Sequence, residues 1–306
     1  MIKEAENKVT IEGLLSEVDL SYGSFKKKST NEMVNSIGGT IKVQVNQNID
    51  GKPVMLEVPV HMFASETTNK GTKNPAYQNI EKIKNEMTSI AAAGGTQGAD
   101  AIRIVGAKIV MNEFVNRNGE ISSYPRINAS FVNKIRQDEM KPEATFSISF
   151  VVGKKTAEYD REGIETGRYK ITGVVPQFGG KVDVVEFITA NPKVIEAINQ
   201  YWSENDTVSA IGRLNFSSRT ETVLKEVDFG EPQETVRTFS VSELVITGGS
   251  AAPLEEGQAY DIEEIKEALA ERKVRLEKMK DEAINITSKT RNTPVADTKG
   301  RIDLGF

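Results

Sequence analysis

A mainly β protein of two small five-stranded barrels, followed by a helix and a flexible tail, is what the sequence predicts. Three observations carry this expectation. Short stretches in which apolar and polar residues alternate recur along the chain, as half-buried strands do. The order strand, strand, strand, helix, strand, strand occurs twice. Beyond Gly249 the composition turns polar and charged.

In the first repeat Val9, Ile11, Gly13 and Leu15 alternate with polar residues and predict a strand. A polar loop is expected from Gly23 to Asn31. Ile41, Val43 and Val45 mark a second strand, and the turn Asp50-Gly51 leads to a third with Val54, Leu56, Val58 and Val60 on one face. Pro59 lies on the other face and predicts an open edge or a bulge there. Asn74-Pro75 supplies an N-cap and a first helical residue. Tyr77, Ile80, Ile83, Met87 and Ile90 continue as one helical stripe that Gly94-Gly95 ends. A fourth strand runs from Ile102 to about Val115, Asn118-Gly119 turns the chain, and Ile127, Ala129 and Phe131 mark a fifth.

The second repeat opens with Phe146, Ile148 and Phe150. A polar loop is expected from Gly153 to Gly167, then a hairpin of Tyr169, Ile171, Val182 and Val184 turned at 177–180. Asn191-Pro192 starts a second helix with Val194, Ile195, Ile198 and Trp202. Val208, Ala210, Gly212, Leu214 and Phe216 give a fourth strand, and Phe239 and Val241 a fifth. Strand glycines such as Gly13, Gly106 and Gly212 suit sharp bends. The expected boundaries are 1–140 and 141–249 for the two domains. Residues 250–306 hold a linker, a helix at 261–283 opened by Asp261, and an unpatterned tail.

Composition narrows the function. The 306 residues contain no cysteine and one histidine, His61, which excludes disulfides and thiolate metal sites. No cofactor is expected. No apolar run reaches membrane-spanning length, and residues 1–6 carry no apolar core of a signal, so a cytoplasmic protein is expected. Net charge is −5: +1 over residues 1–140, −4 over 141–250 and −2 over 251–306. A broad basic face for duplex DNA is therefore excluded, and any nucleic-acid site is a local groove. The phosphate-loop, dinucleotide-binding, zinc-protease and nucleophile-elbow motifs are absent, so binding is expected in place of catalysis.

The repeated order of elements resembles the OB fold, a five-stranded, partly open barrel with a helix between strands three and four. An unrelated pair of α+β domains would share the same order. The resemblance implies a site on strands two and three, bounded by the loops between strands one and two and between strands four and five. Binding single strands without sequence choice needs cations for phosphates and flat rings for bases. In the first repeat those residue types at those places are Tyr22, Phe25, Lys26, Lys27, Lys28, Lys42, Arg117 and Tyr124. In the second they are Lys154, Lys155, Tyr159, Arg168, Lys170, Phe178, Arg213 and Arg219. Plain structural readings stand beside these: a solvated loop for the lysine run and a rim cover for Tyr22 and Tyr124; Phe114 and Trp202 are expected as core.

With its tandem barrels and its ending, the chain resembles phage-type single-stranded DNA-binding proteins. That resemblance implies a role in replication or recombination in a bacterial host and a tail tip that docks partner proteins. The matching positions are Asp303, Leu304 and Phe306; such tips carry several acids, whereas here Asp303 stands near Arg301. The 261–283 helix is expected to mediate self-association or partner contact. Two alternatives remain: a structural or assembly protein, for example of a virus particle, and a catalyst with an acidic metal site assembled by the fold.

Overall fold

A computed structural model of the chain describes residues 2–27, 31–49, 51–225, 233–255 and 257–291, the side chains of 218–225, 233–239 and 284–291 excepted. The described chain is mainly β. Its first half runs β1 (Asn7–Lys26), β2 (Met33–Ile49), β3 (Lys52–Ser65), α1 (Pro75–Glu86), α2 (Ile90–Ala93), β4 (Ala101–Val115), β5 (Ile121–Ala129) and β6 (Phe131–Ile135). Its second half runs β7 (Glu143–Tyr159), β8 (Glu165–Pro176), β9 (Val182–Thr189), α3 (Pro192–Tyr201), β10 (Thr207–Lys225) and β11 (Gln233–Gly249). A long helix, α4 (Ile262–Arg291), follows.

Hydrogen-bond pairing closes each half on itself. In the first half β1 pairs β2, β2 pairs β3, β3 pairs β5 in parallel, β5 pairs β4, and β4 returns to β1. The second half repeats the circuit as β7, β8, β9, β11, β10 and back to β7, again with one parallel step, β9 to β11. β1 then joins the two circuits through antiparallel pairing with β7, from Asn7↔Ile148 to Glu12↔Glu143. All eleven strands thus belong to one sheet.

The alternating residues fill the inside of each circuit. Ile41, Val43, Leu56, Val58, Ile80, Ile83, Ile102 and Ile127 are fully buried in the first; Phe150, Phe187, Val208 and Leu214 are in the second. They belong to one continuous apolar cluster, in which burial of each such side chain contributes about 1.5–3 kcal/mol. Trp202 is core, edge-on to Phe150, and its Nε1 donates to the Ser250 carbonyl at 2.9 Å.

Two glycines make the bends possible. At Gly13 a Cβ would lie 2.3 Å from the Gln44 carbonyl oxygen of β2. Gly106 takes φ +67° and marks where β4 leaves β6 (pairs 101–105) and joins β5 (pairs 108–115). Pro59 sits where β3 has β2 on one side only, because β5 pairs β3 at Val60–Met62.

Four expectations change. The stripe expected as one helix breaks at Met87, and Ser89 caps a separate single turn, α2. The segments 23–26 and 153–159, expected as loop, are strand, so the hairpin turns are short. The expected fifth strand of the first half divides into β5 and β6 at Ser130. The helix expected at 261–283 runs on to Arg291.

Candidate nucleic-acid interface

Period-two alternation decides which side chains leave the first circuit. Where Leu20, Ile37, Ile41, Val60, Met62, Ile109 and Ile127 point in, their neighbours point out. The register brings the outward residues together. Ser21 faces Gly38, Gly23 faces Ser36, and Gly38 faces Phe63. Phe25 lies on the same side, its ring 5.9 Å from Phe63. Small residues thus form the floor on which two exposed rings stand. A Cβ at Gly38 would come within 3.0 Å of the Phe63 ring.

The outward face continues across β3 into β5 and β4. His61 pairs with Asn128, Arg126 follows two residues earlier on β5, and Tyr124 two before that. Tyr124 meets Phe114 of β4 edge-on at 5.9 Å, and both rings are exposed. Arg117 sits in the turn beyond them, exposed. Burial, with the Arg126 charge adding to it, holds the His61 imidazole below the usual histidine value. The Arg126 Nε is buried without a hydrogen-bond partner among the described residues. Lys26, Lys27, Arg117 and Arg126 likewise have no ion pair among the described residues. One outward face therefore carries Phe25, Phe63, Tyr124 and Phe114 with uncompensated cations at its ends and along it.

Other candidate residues are held by the protein itself. Tyr22 is half-exposed, but it lies on the α1 side of β1. Its hydroxyl donates to Glu81 at 3.2 Å and accepts from Asn85 at 3.1 Å, and Lys84 Nζ stands 5.8 Å from its ring centre. Tyr169 repeats this in the second half, donating to Asn199 of α3 at 2.7 Å. Lys42 does face outward, yet it pairs with Glu17 at 2.6 Å and Glu57 at 3.9 Å. The Glu17 hydrogen bond leads in holding its ammonium above the usual lysine value. Lys155 donates to the Ile198 and Trp202 carbonyls and so closes the C-terminal end of α3. Arg168 pairs with Glu158 at 2.9 Å and Glu243 at 2.6 Å; Lys170 pairs with Glu158 at 3.2 Å and Glu186 at 3.5 Å.

In the second half Lys154 is exposed at the β7 register shift between Val152 and Lys155, Tyr159 is exposed at the β7–β8 turn, Phe178 is 82% exposed at the β8–β9 turn, and Arg213 is half-buried on β10. Neither Tyr159 nor Phe178 has a second ring beside it among the described residues. Arg219 lies on β10 opposite Phe239, and its side chain falls outside those described. Lys28, Asp303, Leu304 and Phe306 also lie outside the described residues.

Three members of the face, Phe63, Phe114 and Arg126, are not among the sequence-predicted site residues. The signal for Phe63 was present: Val58, Val60, Met62 and Ala64 set the inward phase of β3, which leaves Phe63 outward. Phe114, read as core, is exposed because β4 and β5 extend past the circuit there. Among the described residues no group of three or more His, Asp or Glu is arranged to hold a metal ion, and no helix is long and apolar enough to cross a membrane.

The chain belongs to the YorF family: that family's model matches residues 5–282. No curated protein matches the sequence. Among solved structures it is similar to the single-stranded DNA binding protein from Thermus aquaticus. A deletion mutant of that protein is 10% identical with a TM-score of 0.49, covering 83% of this chain and 97% of that one. The wild-type form is 8% identical with a TM-score of 0.48, covering 83% and 96%.

Proposed function

We propose that each strand circuit is a small OB-type barrel and that the chain binds single-stranded DNA without sequence choice, as a binding protein and not as an enzyme. The observation that carries this reading is the outward face of the first circuit. Four accessible rings stand there beside cations that no carboxylate of the described chain neutralises. Rings accept any base, at about 1–3 kcal/mol per stacked base, and Lys26, Lys27, Arg117 and Arg126 meet phosphates. A duplex hides its bases and needs the broad basic surface that this acidic chain lacks. In this reading the protein shields single strands during replication or recombination, phage-encoded in a bacterial host's cytoplasm, with partner docking through its tail and self-association as further roles.

Fluorescence anisotropy with labelled oligo-dT and a matched duplex, each at two salt concentrations, tests it. The single strand binds better, and its affinity falls steeply with salt through counterion release. Arg126→Ala lowers the slope of log affinity against log salt by about 0.7, one phosphate contact on a single strand. Equal binding of both forms, or none at low salt, contradicts the reading.

A further inference from the structure

The β4–β5 hairpin has two sides. Phe114 and Tyr124 are on its front, which continues the outward face of the first circuit. Its back carries Met111, Glu113, Ser123 and Pro125 and turns to the second half. The Met111 N–H donates to Asp183 of β9 at 3.0 Å. Glu113, its side chain 6% exposed, is gripped by Arg272 and Arg275 of α4, the latter at 2.9 Å. α4 itself is seated on the second circuit by Ile265 and Ala268, packed with Val151, Val174 and Val182.

The back of the hairpin forms one wall of a cleft of about 500 Å³ whose other walls are the outward face of β8, β9 and β11 and Arg272. That face is the second circuit's counterpart of the Phe25–Phe63 platform. No aromatic side chain lines the cleft. Its charges cancel: Arg168, Lys170 and Arg272 stand against Glu158, Glu186 and Glu243. A polyanion entering it would meet three carboxylates, find no ring to stack on, and have to break ion pairs already made.

Resting on the single-stranded DNA reading, we propose that the strand runs over the first circuit alone, and that the matching face of the second circuit is the dock of the β4–β5 hairpin. Each chain then offers one strand path, although it contains two copies of the fold. The second copy works by holding the hairpin so that its front rings face the strand.

Tight-binding titration of the full chain with an oligo-dT of about ten nucleotides, within the range one such barrel covers, counts the sites. The expected result is one oligonucleotide per chain. The double variant Phe25→Ala, Phe63→Ala, both exposed, lowers affinity at least about tenfold. Lys154→Ala with Tyr159→Ala, both exposed on the second half, leaves it within about twofold. Two oligonucleotides per chain, or a loss in the second-half double variant equal to that of the first-half pair, overturns the one-path assignment while leaving DNA binding intact. Undiminished binding in the Phe25, Phe63 variant overturns it as well. If the unmodified chain binds no oligo-dT at all, the functional reading falls, and this assignment with it.

Discussion

Glu12 shows how much one side chain can fasten. Its carboxylate is buried between β1, β4 and the connection into β7. It accepts from Arg103 Nε at 2.6 Å and from the Lys141 N–H at 2.6 Å. Burial on its own would raise its pKa; the Arg103 hydrogen bond, the Lys141 N–H and the Arg103 charge outweigh it and hold the group below its ordinary 4.5. A carboxylate lowered in the folded state adds stability above its unfolded value and loses it as pH falls through the folded one. Glu12→Gln therefore costs about 1.5–3 kcal/mol near neutral pH, and the difference from wild type shrinks below about pH 4.5. Urea unfolding of both proteins at about pH 7 and about pH 4 checks this. At this scale the sequence supplied residue types and phase but not partners. Lys42 was legible as outward, whereas Glu17 and Glu57 at its sides come from neighbouring strands. Phe25 was legible as a candidate, whereas its companion Phe63 lies on β3, far along the chain and brought close by the register of β2.

Among the elements, the β4–β5 hairpin ties the fold to the proposed function most directly. Glu113→Gln removes the carboxylate that Arg272 and Arg275 share. It is expected to lower stability by about 1–3 kcal/mol. It should also weaken oligo-dT binding while leaving the salt slope unchanged, because no phosphate contact is lost. Anisotropy across a salt series separates this from loss of a contact residue. The elements themselves were largely readable from alternation, caps and turn residues; Asn74 and Asn191 both accept from helix N–H groups as expected of N-caps. The readings that failed have two causes. Residues 23–26 and 153–159 stand at hairpin ends where neither face is buried, so no apolar period marks them as strand. The stripe through Met87 continues in spacing to Ile90 although the backbone turns at Met87 and restarts under Ser89, and α2 buries none of its residues.

For the molecule as a whole, the repeat was legible and its consequence was not. Two copies of one element order leave open whether one or both carry a site. The structure pairs β1 with β7 and places the first half's hairpin against the second half's outward face. Both contacts are between residues distant in sequence, and nothing in local periodicity records them. Net charge set the scale of the problem: an acidic chain that binds a polyanion needs a local group of unpaired cations, and Lys26, Lys27, Arg117 and Arg126 form one at the first circuit. The most direct measurement is photo-crosslinking of a 5-bromouracil oligonucleotide to the full chain, with the modified residues located by peptide mass mapping. Adducts at Phe25, Phe63, Tyr124 or Phe114 are predicted. Adducts confined to residues 143–249, or none from a folded protein at saturating oligonucleotide, would contradict the claim that unpaired bases lie on the outward rings of the first circuit.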